Sequence, residues 1–167
     1  MEMKEFIEEV QMIMSGVIDI STHKNGACLY MGALLFANIN DRFPVKARFV
    51  TGSLTVNNRL IFSHEPIKPV LNSGMDFSGQ WNGHAWVEVD GYIFDPSIFF
   101  TIYSPTTAKE LQALFKTTFK CKYLLEPAIK LERKCIFYKE YEELADADAT
   151  VLINSGLKLG FFDESRF

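Results

Sequence analysis

The chain has 167 residues, 48% of them hydrophobic and 14% aromatic, enough to bury one sizeable core without disulfides and too few for two comparable ones, so a single domain over 1–167 is expected. A formal net charge of −4 with no local run of Lys or Arg offers nothing to a phosphate backbone and argues against nucleic acid. The charged start Met1-Glu2-Met3-Lys4-Glu5-Phe6 does not read as a signal peptide, and no later apolar stretch reaches the length of a membrane span; a cytoplasmic location with no membrane partner is the expectation.

From Lys4 to Met14, the residues Phe6, Ile7, Val10, Ile13 and Met14 recur at helical spacing, which predicts an amphipathic surface helix. From Ala27 to Ile39 nearly every residue is apolar or small, the pattern of a helix buried on all sides. Asn25 and Gly26 are candidate caps, and Cys28 falls in the first turn. Val45 to Val56 and Arg59 to Ser63 read as strands joined by a tight turn at Asn57-Asn58. The stretch His64 to Asn82, broken by Pro66, Pro69, Gly74 and Gly79, has little periodicity and is expected to form a flap or rim.

A second hairpin is clearer: His84 to Val89 and Tyr92 to Asp95 flank Asp90-Gly91, a pair suited to a two-residue turn. The run Ile98 to Tyr103 is expected to be core or strand edge. Ser104-Pro105 can open a helix running to about Phe115. Lys134 to Tyr138 reads as a strand, with weaker helical patterns at Glu140 to Ala145 and Ala149 to Leu159. This order of elements is an α+β arrangement.

The hairpin makes a geometric statement. With Asp90 and Gly91 as loop residues, Val89 faces Tyr92 and Val87 faces Phe94, so His84, Trp86 and Asp95 share one face. His84 and Asp95 become diagonal neighbours with backbones roughly 7–8 Å apart, within reach of an imidazole–carboxylate hydrogen bond. A carboxylate so placed orients an imidazole and stabilises its protonated form. Cys28, at a helix start, sits where exposed N–H groups and the macrodipole favour a thiolate and can hold a developing oxyanion. Gln80, Trp81 and His23 are candidates for a second oxyanion donor. Cys28, His84 and Asp95 are therefore expected to form a catalytic triad, with Trp81 and Trp86 packing residues first and walls of a substrate site second. The same three residue types can ligate zinc, but no short-spaced ligand pair anchors a metal, and no metal or cofactor is expected. Cys121 and Cys135 read as buried fillers, and His23 and His64 as surface loop residues.

Asn25-Gly26-Ala27-Cys28 opening an apolar helix, then Pro44 to Gly52, then Gly83-His84-Ala85-Trp86-Val87-Glu88-Val89-Asp90-Gly91, then Phe94-Asp95-Pro96, resembles the core of the transglutaminase-like superfamily, papain-like Cys-His-Asp enzymes. The resemblance covers about residues 25 to 97. It implies a nucleophile at the N-terminus of a buried helix packed on an antiparallel sheet. It also implies a thiol-dependent hydrolase or acyltransferase working on amide, ester or thioester bonds, with a peptide, protein or small acyl compound as substrate. Leu29 stands where the family often has an aromatic residue, and the acidic, calcium-binding character of the large animal cross-linkers is missing; both lean the reading toward hydrolysis or small acyl transfer. Two narrower alternatives are an inactive relative that binds peptides and a leader-peptide protease of bacterial peptide maturation. Fold alone does not choose among them.

Overall fold

The computed structural model describes residues 2–22, 27–78, 80–103, 105 and 107–166. The architecture is α+β, a curled antiparallel sheet with helices on both faces. The first helix, α1, runs Met3–Ile20, longer than expected because Val17 and Ile18 continue the buried stripe and Gly16 sits in open space. The second, α2, spans Cys28–Arg42; the proposed caps Asn25 and Gly26 lie outside the described residues. Residues 28–36 of this helix are buried without interruption, as an all-round apolar pattern requires.

Strands β1 (Arg48–Val56) and β2 (Arg59–Phe62) form the first hairpin, turned by Asn57 and Asn58 at φ 48 and 61. The rim holds one short helix, α3 (Lys68–Leu71). Strands β3 (His84–Val89) and β4 (Tyr92–Asp95) pair Val89 with Tyr92 and Val87 with Phe94, the expected register. Asp90 and Gly91 take φ 47 and 78, the left-handed conformation that a tight hairpin of this hand needs.

Beyond the hairpin the run from Ile98 supplies core residues as expected, while other elements depart from expectation. Ile98–Ile102 is a short helix, α4, with Ile98, Phe99 and Ile102 buried. Ser104 and its capping role lie outside the described residues, and the next helix, α5, starts later, at Lys109–Thr118. Strand β5 (Leu124–Pro127) and helix α6 (Ala128–Arg133) carry no pattern that distinguished them beforehand. The expected strand Lys134 to Tyr138 and helix Glu140 to Ala145 are instead one nine-residue strand, β6 (Ile136–Leu144). It pairs with β1 from Phe49 to Val56, so tertiary pairing overrides the helix preference of its glutamates. The last long helix, α7, spans Asp146–Lys158, starting earlier than expected because Asp148 accepts the Ala145 N–H at 2.8 Å.

The strand order is β2-β1-β3-β4-β5, with β6 on β1. Along one edge of β1, β3 pairs with Arg48 to Gly52 and β2 with Leu54 to Val56; β6 takes the other edge. One face of the sheet, carrying Phe49, Ala85, Val87 and Phe94, packs under α1, α2 and α7. The opposite face, carrying Val50, Leu54, Trp86 and Ile93, packs against α4, α5 and α6. No helix among the described residues is long and apolar enough to cross a membrane.

Candidate active site

Two elements meet at the start of β3. The first turn of α2 brings Cys28, which is 7% exposed, and the strand brings His84, which is fully buried. Asp95, at the end of β4, is also fully buried. His84 Nε2 donates to Asp95 Oδ2 at 2.5 Å. The remaining ring nitrogen, Nδ1, is buried with no partner in hydrogen-bond geometry. With Nε2 occupied, Nδ1 is the nitrogen left to the thiol.

The electrostatics follow from these contacts. Burial works against a charged imidazole, but the charge and hydrogen bond of Asp95, then the nearby Cys28 sulfur, overcome it and push the His84 pKa up to about 10. The ring is favoured as an imidazolium between a carboxylate and a sulfur, the state in which a thiol can exist as thiolate.

Asp95 is held from all sides. Oδ1 accepts the Ser97 N–H at 3.0 Å, the Ser97 hydroxyl at 3.1 Å and the Ile98 N–H at 3.0 Å. Oδ2 accepts Tyr138 Oη–H at 2.9 Å as well as the imidazole. The carboxylate thus caps α4 and orients His84 at once. Phe62, from β2, stacks on the imidazole with centroids 4.9 Å apart and planes at 16°. Trp86 backs it at 6.3 Å. Neither Tyr138, Ser97 nor Phe62 stood out in the sequence. A Tyr facing the His84 side of the sheet could have been picked out only with the β1–β6 register in hand.

The other candidates separate. Trp86 has no exposed surface, and its indole N–H goes to Glu88 at 2.8 Å. Trp81 lies half-buried on the rim with its N–H donated to the Glu65 carbonyl at 2.7 Å, so that donor is already engaged. Gln80 is exposed on the rim, and His23 lies outside the described residues.

Cys121 and Cys135 correct the expectation of buried fillers: both are exposed. Cys121 sits between α5 and β5 and donates to the Tyr123 carbonyl at 2.9 Å, while Cys135 turns the chain from α6 into β6 at φ 59.

His64 is not a surface residue either. Its side chain is 5% exposed and lies 3.2 Å from Glu142 Oε2, stacked on Tyr141 at 4.8 Å. Thr51 Oγ1 approaches the same ring nitrogen at 3.3 Å. A nucleophile, base and orienter need opposite nitrogens of the ring, so this cluster is a clamp and not a second triad. Glu142 also accepts the Ile67 N–H at 2.8 Å, pinning the rim to β6. Farther along, Phe77 is tied through its N–H to Ser155 at 2.9 Å and through its carbonyl to Tyr30 at 3.0 Å. The rim is therefore anchored along its length.

Among the described residues no three His, Cys, Asp or Glu side chains are grouped so as to hold a metal ion. Comparison with known proteins found no matching family model, no matching curated protein and no matching solved structure.

Proposed function

We propose that this chain is a thiol-dependent hydrolase or acyltransferase of the transglutaminase-like kind, acting on an amide, ester or thioester of a peptide, protein or small acyl compound. The observation that carries the reading is the position of His84, hydrogen-bonded on one nitrogen to a fully buried carboxylate and acted on by the Cys28 sulfur. A buried cationic imidazole beside a helix-start cysteine has a direct use in thiolate chemistry and little value as packing.

In this reading the Cys28 thiol passes its proton to His84, and the thiolate sulfur adds to the substrate carbonyl. The carbonyl oxygen becomes an oxyanion at the start of α2, where backbone N–H groups point out of the helix. The intermediate collapses as His84 returns the proton to the leaving amine, alcohol or thiol, leaving an acyl-thioenzyme. Water or an amine, deprotonated by His84, then attacks the acyl carbon and releases Cys28. Asp95 stays anionic and keeps Nδ1 turned toward the sulfur.

The test uses a chain in which the exposed thiols are removed, Cys121→Ser with Cys135→Ser. Iodoacetamide should alkylate Cys28 well below the ordinary thiol pKa of about 8.5, and His84→Ala should slow this at least roughly tenfold. An electrophilic peptide probe should leave an adduct on Cys28 detectable by mass spectrometry. Low-pH alkylation no faster than that of a solvent cysteine, together with no adduct, would leave a peptide-binding module as the better reading.

A further inference from the structure

We propose that Tyr138 is a positioning residue of the Cys28–His84–Asp95 site, a fourth member that shares the Asp95 oxygen used by the imidazole. The inference rests on the reading of Cys28 as nucleophile and His84 as its base, and it adds a group that nothing in the linear pattern assigns.

The geometry is specific. Tyr138 Oη–H donates to Asp95 Oδ2 at 2.9 Å, and His84 Nε2–H donates to that same atom. The other carboxylate oxygen is already taken by Ser97 and Ile98, so the phenol and the imidazole divide the charge of Oδ2 between them. The phenol is itself fixed: its ring lies 6.0 Å from the His84 ring and 5.0 Å from that of Trp86, nearly perpendicular to the latter.

Long-range pairing delivers it. Tyr138 is the register partner of Leu54 on β1, on the sheet face that also carries Trp86. Between the two strands the register shifts at Thr51/Gly52, where β1 has no side chain to hold β6 away. Burial, then the Asp95 charge, raises the Tyr138 pKa well above that of a free phenol. Tyr138 is consequently a neutral donor over the working pH range and never competes with His84 for the transferred proton.

A hydrogen bond from a phenol draws negative charge toward itself and leaves less on Oδ2 for the imidazolium. Tyr138 thereby does two things. It holds the carboxylate in the plane that orients His84, and it keeps the imidazolium from binding its proton so tightly that return to the leaving group is slow. The titratable groups that touch or act on the ring are Asp95 from β4, Cys28 from α2 and Tyr138 from β6. Removing the phenolic hydroxyl is expected to raise the pH at which the imidazolium is lost.

The experiment measures the rate of Cys28 alkylation against pH in the Cys121→Ser, Cys135→Ser chain and in the same chain with Tyr138→Phe or His84→Ala. The profile should show an upper inflection, where the imidazolium beside the thiolate gives up its proton. Tyr138→Phe should move that inflection upward by roughly half to one pH unit, a readout that a role in packing alone would leave in place. With the electrophilic probe the acylation rate should fall several-fold while probe affinity stays the same.

The two ways of failing are distinct. If His84→Ala has the same profile as the parent, the base assignment itself fails. If His84→Ala abolishes the low-pH reactivity and Tyr138→Phe superimposes on the parent, only the positioning role is overturned. Should Tyr138→Phe not fold, replacing the chain's six tyrosines with 3-fluorotyrosine supplies a stronger phenol donor, which should move the inflection downward. An unmoved inflection there overturns the proposal equally.

Discussion

Gly52 lies against the backbone of Lys139 so closely that a Cβ on it would stand 1.9 Å from the Lys139 carbonyl oxygen and 2.9 Å from the Trp86 ring. This contact lets β6 close on β1 and carries Tyr138 to Asp95.

Gly52→Ala should accordingly lower stability by about 2–4 kcal/mol, because the obstructing atom is backbone and cannot rotate away. Gly83 offers the contrast. A Cβ there would meet the Trp81 ring at 2.2 Å, and the half-buried indole can swing aside at the cost of its single hydrogen bond to the Glu65 carbonyl. Gly83→Ala should cost about 1 kcal/mol or less while changing Trp fluorescence. Urea midpoints and emission spectra of the two variants check this, and equal losses of stability would contradict it.

Asp95→Asn should be severe although it is nearly isosteric. All the partners of Asp95 are donors: Ser97 N–H and O–H and Ile98 N–H on one oxygen, His84 and Tyr138 on the other. Turned one way, the amide NH₂ faces the Ser97 and Ile98 N–H groups; turned the other, it can donate to His84 Nε2 only if the ring proton moves to Nδ1, the tautomer that cannot take a proton from the thiol. A loss of about 2–4 kcal/mol is expected. His84 also loses the charge that favours its cation, so Cys28 alkylation should rise only near the pH of an ordinary thiol.

Stability should fall on the alkaline side of neutrality. In the unfolded chain His84 titrates near its ordinary value of about 6.5. In the folded protein burial opposes the cation, but Asp95 and then Cys28 raise the pKa to about 10. The folded state therefore holds the proton more tightly. Its contribution is complete below about pH 6.5 and is lost as pH rises toward about 10. The parent should lose on the order of a few kcal/mol across this window, and His84→Gln should show a much flatter dependence in urea titrations.

Arg48 joins three strands. Its guanidinium binds Glu88 of β3 at 2.9 Å, Glu143 of β6 at 2.9 Å, and Glu140 of β6. Arg48→Met would leave three carboxylates facing one another and should cost about 1–2 kcal/mol at low ionic strength. Because salt screens that repulsion, the deficit should shrink when salt is raised. A deficit independent of salt would mean that Arg48 acts through packing of its methylene stem.

The β3–β4 hairpin was readable because everything that sets it is contiguous. Asp90-Gly91 selects the turn, the turn sets the register, and alternation then puts His84 and Asp95 on one face. The buried helix behind Cys28 was equally plain, since an unbroken apolar run of that length has no other home in water. Strand β6 was not readable. Lys139, Glu140, Glu142 and Glu143 look like a solvated helix until β1 and Arg48 stand beside them. Cys121 and Cys135 read as fillers on residue type alone, although Lys120, Lys122 and Lys134 flank them, and both sit exposed where the chain bends between elements. His64 looked exposed because its loop is polar, yet Glu142 and Tyr141, from a distant segment, enclose it.

Local chemistry alone thus determined a cysteine at a helix start and a histidine beside a carboxylate on one hairpin, since turn preference and side-chain alternation act over a few residues. Only the assembled sheet decided that Tyr138 reaches the same carboxylate, that Phe62 covers the imidazole and that the rim is pinned through Glu142. Those contacts join segments far apart in the chain. Their free energy depends on how the sheet curls and on which strand fills its last edge, and no window of neighbouring residues encodes either.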